Sequence, residues 1–345
     1  MYDLSDDECH RVVDLTVAHL AEHGGDVAPV ANVHNAVERA LDSVAPDVAK
    51  CYRDYRNYKQ DFVHMLDDVY RKSQAIRYIG DRNNANTDSA LVPTQRSLIY
   101  NELSSALYKK FFLNREEREA MKDGYIYIHD RSARLDCMNC CLFDMANVLT
   151  GGFEMGNVWY NEPKTLDVAF DVISDIAISA AACQYGGFTI PEVDKILAPY
   201  ADKSYRKYFE EYTEIAVHNS LDEYEDVLAS ADEYATKKVQ RDMEQGFQSW
   251  EYRFNTVGSS RGDYPFIAVS FGLDNSRFGR MASMTCMNVR AGGQGSAGHK
   301  KPVLFPKLTF LYDEELHGEG KPMEDVFECA VNCSTKAMYP KKIGA

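Results

Sequence analysis

The segment Pro302-Val303-Leu304-Phe305-Pro306-Lys307-Leu308-Thr309-Phe310-Leu311-Tyr312 constrains the fold more than any other stretch of this chain. Its long apolar run reads as a strand over 302–312 that is covered on both faces, as strands of parallel sheets are. Shorter apolar runs at 125–129 and 264–272 read as strands too. Helical patterns lie at 95–112, 115–123, 165–183 and 201–217. Strands separated by long helical stretches imply an α/β domain with parallel pairing, because parallel neighbours need long crossover connections.

The chain has 345 residues, a length that suggests two or three domains. A formal net charge of −15 argues against broad electrostatic capture of a nucleic acid polymer or an anionic membrane. It leaves room for one nucleotide in a local basic pocket. No apolar run approaches the ~18 residues that span a bilayer. The acidic start Met1-Tyr2-Asp3-Leu4-Ser5-Asp6-Asp7-Glu8 does not resemble a signal or transit peptide, so the cytoplasm is the expected compartment. Nine cysteines, an odd number scattered over a long chain, read as reduced and mostly buried thiols.

The first ~80 residues read as helical. Asp6 or Asp7 is the expected cap of a helix through Leu20, with Val12, Val13, Leu15, Thr16 and Leu20 as its apolar positions. A second helix over 30–41 puts Val33, Val37 and Leu41 on one face. Pro46 opens a third, in which Val48, Cys51, Tyr52 and Tyr55 line up. This module is too short for a large core. Residues 82–96 are rich in loop formers, and a domain boundary is expected near residue 80.

Several short motifs carry chemistry. Gly293-Gln294-Gly295-Ser296-Ala297-Gly298-His299-Lys300 nearly spells a P-loop, but His299 interrupts the Gly-Lys pair and Lys301 stands where a Mg²⁺-binding hydroxyl belongs. It reads as a connecting loop. Cys137-Met138-Asn139-Cys140 has a spacing open to three readings: zinc, buried inert thiols, or a redox or radical role. Cys329 and Cys333, spaced i, i+4 on a helix, read as packing. His129-Asp130 closes the strand expected at 125–128, where a His either touches substrate or is structural. The paired glycines of Gln184-Tyr185-Gly186-Gly187 suggest a helix C-cap and a close backbone approach.

Taken in order, these motifs form a series. Asn84-Ala85-Asn86-Thr87-Asp88-Ser89 and Pro93-Thr94-Gln95-Arg96 resemble the start of the catalytic domain of anaerobic (class III) ribonucleoside-triphosphate reductases. The resemblance continues through His129-Asp130, Asn139-Cys140-Cys141, Glu162-Pro163-Lys164 and Gln184-Tyr185-Gly186-Gly187. It runs on through 194–200, Asn255-Thr256, Pro265-Phe266, Phe271-Gly272, Phe305-Pro306-Lys307-Leu308 and Met338-Tyr339-Pro340. Residues 28–60 resemble the later helices of an ATP-cone, a domain in which ATP activates and dATP inhibits. His34 matches a nucleotide-contacting position there, and a solvated surface His is the plain alternative. The phosphate-gripping hairpin that begins such cones has no counterpart before residue 10, so the cone is expected to be partial.

The resemblance implies a fold: the first half of a ten-stranded α/β barrel of the glycyl-radical type over 83–345. A helical linker (63–82) and a partial ATP-cone (1–62) precede it. It implies a reaction, reduction of ribonucleoside triphosphates to 2′-deoxyribonucleoside triphosphates. A glycyl radical made by a radical-SAM activase drives it, formate is the reductant, ATP and dNTPs are effectors, and a homodimer is the assembly. Cys140 matches the hydrogen-donating cysteine of the family. Asn84, Ser89, Gln95 and His129 are candidate substrate contacts, and His34 and Lys164 candidate effector contacts. No cofactor or metal is expected on this stretch. The thiyl-radical cysteine, the zinc cysteines and the radical glycine lie beyond the Met-Tyr-Pro motif in the family, so the chain alone is expected to be inactive and prone to self-association. The alternatives are a non-catalytic nucleotide-binding or dimerising remnant and a pyruvate formate-lyase relative. The cone-like helices and the Asn139-Cys140 context speak against the latter.

Overall fold

The computed structural model describes residues 3–22, 27–79, 90–134, 138–218, 224–256 and 262–344. Two compact units divide the chain, Met1–Ala75 and Ile76–Ala345.

The first unit is built from α1 (Asp6–Ala21), α2 (Val30–Val44) and α3 (Pro46–Ile79). Ser5, not Asp6 or Asp7, caps α1. Its side chain accepts from the Glu8 N–H while the Glu8 carboxylate reaches back to the Ser5 N–H. Asp6 and Asp7 instead sit in the first turn, where negative charge complements the helix dipole. Val33 and Val37 turn inward with Leu41 as expected, but Val13, Cys51 and Tyr55 face out. The buried residues are Ala36, Ala40, Leu41, Ala49 and Ser73, all but Leu41 small. Beside them, Arg53 pairs with Glu38 and Asp42, and Arg56 with Glu38.

The second unit runs α4 (Val92–Phe111), α5 (Arg115–Lys122), β1 (Cys141–Leu142), α6 (Met145–Leu149), β2 (Phe153–Met155), β3 (Val158–Tyr160), α7 (Leu166–Ala182), β4 (Phe188–Ile190), α8 (Val193–His218), α9 (Tyr224–Phe254), β5 (Ile267–Phe271), α10 (Arg277–Gly292), β6 (Lys307–Tyr312), α11 (Glu314–His317), α12 (Glu324–Ala337) and β7 (Lys341–Gly344). Strands β2 and β3 form a separate antiparallel hairpin. The other five make one all-parallel sheet in the order β1-β4-β5-β6-β7.

That order is chain order, so each strand joins the same edge. Right-handed crossovers then place every connecting helix on one face. The register bears out this one-sidedness. Phe188, Ile190, Ile267, Val269, Phe271, Leu308 and Phe310 share one face and are fully buried in the main core. The opposite face aligns Thr189, Ala268 and Lys307 in one row, and Ser270, Thr309 and Lys341 in the next. A singly wound sheet of this kind is the five-stranded half of a barrel, as expected. The expectation that 302–312 is covered on both faces fails, because β6 buries only its Leu308 and Phe310 side and begins at Lys307.

Other sequence expectations need correction. No strand forms at 125–129. Tyr125 and Tyr127 are exposed, and the segment pairs with no strand among the described residues. The strand at 264–272 shortens to Ile267–Phe271, and the helix at 201–217 is the second part of a longer one, Val193–His218. The loop at 293–300 does connect α10 to β6.

The family motifs meet in pairs. Asp194, at the start of α8, is fully buried, and its Oδ2 accepts the N–H groups of Gly272 and Asp274 at 2.9 and 3.0 Å. Asn255 at the end of α9 accepts from the Leu304 and Phe305 N–H groups and donates to the Phe305 carbonyl at 2.6 Å. Beside it, Arg290 and Glu251 form a buried ion pair at 2.6 Å, and Arg290 also donates to the Pro306 carbonyl at 2.8 Å. This network seats the Phe305-Pro306-Lys307 entry into β6. Arg290→Leu strands the Glu251 carboxylate in the core and is expected to cost about 3–5 kcal/mol. Urea unfolding measures this, and the Arg290→Leu, Glu251→Leu pair should recover part of the loss.

Burial holds the Asp194 carboxyl above its ordinary range, although the N–H groups of Gly272, Asp274 and Lys195 pull the other way. A folded value above the unfolded one contributes stability that is complete below the unfolded pKa, about 3.9. That stability is lost as pH rises through the folded value. Asp194→Asn keeps a carbonyl acceptor for the two loop N–H groups. It should flatten this fall in urea midpoint above about pH 4.

Candidate active site

Asn139-Cys140 and Tyr185-Gly186-Gly187 run side by side into β1 and β4. Tyr185 donates its N–H to the Met138 carbonyl at 3.0 Å, Gly186 to the Asn139 carbonyl at 2.5 Å, and Cys141 to the Gly187 carbonyl at 3.0 Å. The glycines permit the approach. A Cβ built on Gly186 would stand 2.4 Å from Asn139 Oδ1 and 2.6 Å from Cys140 Sγ. Gly187 donates its N–H to Cys140 Sγ at 3.2 Å. The expected close approach at this motif is therefore present, but the α7 C-cap is Cys183 rather than a glycine.

Cys140 opens onto a cavity of about 660 Å³. Its walls are the first turns of α4 (Thr94, Ser97, Leu98), His129-Asp130, the end of α7 with Cys183, the 184–187 segment and the approach to β5 (Tyr264, Phe266). Ligands in open α/β sheets commonly sit outside the carboxyl ends of strands. This cavity lies at the amino ends of β1, β4 and β5. Its α4 wall is fixed by the buried Thr94 hydroxyl, which donates to the Gly262 carbonyl. Gly262 has φ +86°, and a Cβ there would lie 2.2 Å from the backbone of Pro93 and Thr94. On the other side, Lys307 Nζ stands 3.8 Å from the Phe266 ring centroid. Burial and the neighbouring Lys341 hold its ammonium below the ordinary range.

Of the residues singled out in sequence, Cys140 and His129 share this cavity. His129 is exposed and pairs with Asp130 at 3.0 Å, in a turn where Asp130 has φ 49° rather than at a strand end. Gln95 is half-buried on α4 and does not line the cavity, although its neighbours Thr94 and Ser97 do. Asn84, Ser89 and Cys137 lie outside the described residues. Lys164 is exposed ahead of α7, close in sequence to Glu162, which is paired with Lys203 at 2.7 Å. His34 lies in the first unit, where its Nδ1 is hydrogen-bonded to the Tyr52 hydroxyl.

The remaining close cysteine pair behaves as packing. Cys333 is buried on α12 and donates to the Met287 carbonyl at 3.2 Å, and burial pushes its thiol up to about 11. Cys183, Thr94 and Gln184 are cavity residues that sequence reasoning did not single out. Gln184 stood inside a recognised motif, and Cys183 was detectable only as a thiol three residues before Gly186.

A thiol held by a glycine pair at the mouth of a singly wound parallel sheet defines a cysteine-centred site in a half-barrel. The chain matches the family described as anaerobic ribonucleoside-triphosphate reductase over residues 83–343. It is 30% identical over 344 residues to the anaerobic ribonucleoside-triphosphate reductase of Salmonella typhimurium, covering 97% of this chain and 46% of that one. It is 33% identical over 268 residues to the enzyme of the same name from Enterobacteria phage T4, covering 76% and 42%. The Escherichia coli protein of that name is 30% identical over 327 residues, covering 92% and 44%. The chain thus spans about half the length of the curated relatives it matches. Among solved structures it is similar to the anaerobic ribonucleotide reductase from Thermotoga maritima in complex with dATP and CTP. That match has a TM-score of 0.49 and 14% identity, and covers 80% of this chain and 48% of that one. At that distance the likeness assigns no role to any residue here. The chain belongs to the anaerobic ribonucleoside-triphosphate reductase family. Among its described residues, no helix is long and apolar enough to cross a membrane.

Proposed function

We propose that the cavity beside Cys140 is one half of the active site of an anaerobic ribonucleoside-triphosphate reductase. The reading is carried by one observation: the thiol of the family's Asn-Cys-Cys motif opens onto a cavity and is fixed there by the family's Gly-Gly motif. The overall reaction exchanges the ribose 2′-hydroxyl for hydrogen. The hydroxyl leaves as water, and formate is oxidised to carbon dioxide, supplying two electrons. The glycyl radical, generated by an activase, supplies the one-electron chemistry through a cysteine on the opposite sugar face.

Within this chain, Cys140 is the hydrogen donor. Its S–H bond is weak enough to give up a hydrogen atom, and the Gly187 N–H orients the sulfur. Leu98 and Phe266 limit water at the site. Ser97 and His129 offer polar groups to the ribose and phosphates, while Thr94 holds the α4 wall through Gly262. His34 and Lys164 are the proposed effector contacts, for ATP or dATP on the partial cone and for a dNTP at the homodimer side respectively. Calorimetry combined with an anaerobic turnover assay tests the reading. Ribonucleoside triphosphate binding with activase- and formate-dependent deoxyribonucleotide formation supports it, and binding without turnover in the activated enzyme contradicts it.

A further inference from the structure

Cys140 and Cys141 are adjacent, so the backbone alone brings two thiols to the same place. Their surroundings differ. Cys140 lines the cavity and its sulfur accepts the Gly187 N–H. Cys141 does not line the cavity, is half-buried, and donates its thiol hydrogen to Gln184 Oε1 at 3.1 Å. Burial pushes the Cys141 thiol above its ordinary range. Gln184 is only 5% exposed, and its Nε2 is buried with no hydrogen-bond partner. An orphaned buried amide is costly. An apolar side chain of similar length would fill the same space without that cost, so packing alone does not account for a glutamine here.

We propose that Gln184 selects between the two adjacent thiols: by accepting the Cys141 hydrogen it holds that thiol off the cavity and leaves Cys140 as the member of the pair presented to a ligand. The proposal rests on the reading of Cys140 as the working cysteine. Gln184 is then a positioning residue, acting through Cys141. Without it, the Cys141 S–H is free to rotate, and either thiol of the adjacent pair can offer its hydrogen where Cys140 alone should.

Pulse labelling of the chain with iodoacetamide under reducing conditions tests this. Fragment mass spectrometry resolves the two neighbouring positions. In the unmodified protein Cys140 should label about tenfold faster than Cys141, as expected for an exposed thiol against a held one. Gln184→Met fills the same volume without an acceptor and should raise Cys141 labelling about fivefold or more, with Cys140 unchanged. Gln184→Glu restores an acceptor and should return Cys141 to its slow rate. The buried Cys286 and Cys333 serve as internal reporters of unfolding. Continued protection of Cys141 in Gln184→Met would show that strand alternation alone shields it and would overturn the proposal. Equal labelling of the two cysteines in the unmodified protein would overturn it too, whatever the variants do. Labelling needs no turnover, so this outcome is separable from failure of the reductase reading.

Discussion

Replacing Cys140 by alanine in the complete reductase is expected to lower deoxyribonucleotide formation by at least about 10³-fold, about 4 kcal/mol in the barrier. Ribonucleoside triphosphate binding should stay close to that of the unmodified enzyme. The reason is chemical. Cys140 is the cavity thiol that the Gly187 N–H holds, and alanine has no hydrogen that can be abstracted as readily as S–H. Cys140→Ser separates geometry from chemistry. It keeps an acceptor for the Gly187 N–H and nearly the same shape, but its O–H bond is far stronger. Serine should therefore be as inactive as alanine. Retained turnover in either variant would remove Cys140 from the mechanism.

The second large effect is expected at Gly186. A methyl group there would meet Asn139 Oδ1 at 2.4 Å and both the Asn139 carbonyl oxygen and Cys140 Sγ at 2.6 Å. Real Cβ atoms do not approach so closely, and one of the three neighbours, the Asn139 carbonyl oxygen, is backbone pinned by the ladder into β1 and β4. Cys140 must move. A displacement of about 1 Å at a reacting group can cost about 10² in rate. Overpacking of a tight site costs about 1–3 kcal/mol of stability in addition. Gly186→Ala should therefore lose activity far beyond its effect on urea midpoint, whereas Gly187→Ala meets only Phe266 at 3.5 Å, an ordinary contact. Equal losses in the two variants would show that the Cys140 position does not depend on the Gly186 approach.

Much of this is legible in the sequence. The helices α2, α4, α5 and α7 form close to where the sequence places them, and the Cys140 and Gly186-Gly187 motifs prove to be spatial neighbours. What was not legible has physical causes. Strands β1 and β4 are two and three residues long, too short for any period to register. They are strands because the sheet pairs them, not because of their own composition. Tyr125-Ile126-Tyr127-Ile128 has strand-forming residues but no partner among the described residues, and β propensity without a neighbour makes no strand. The 31-residue α9 lies outside the helical patterns expected from sequence, although it carries one long apolar stripe. Val227, Ala231, Ala235, Val239, Met243, Phe247, Trp250 and Phe254 are all buried. Its many charges masked a pattern that the i, i+4 rule contains. The cavity itself could not be foreseen, because it assembles α4, the end of α7 and the approaches to three strands from segments separated by up to 170 residues in sequence, roughly the span from Thr94 to Phe266.

The central claim is that a ribonucleoside triphosphate sits against Cys140. The most direct measurement is the rate of Cys140 alkylation in the complete reductase with and without saturating CTP. Cys9 and Cys51, both exposed in the first unit, serve as controls. The account predicts that CTP slows Cys140 labelling about tenfold or more, as occlusion of an accessible thiol requires, while the controls are unchanged. An unchanged Cys140 rate at a CTP concentration shown by calorimetry to saturate the enzyme would contradict it.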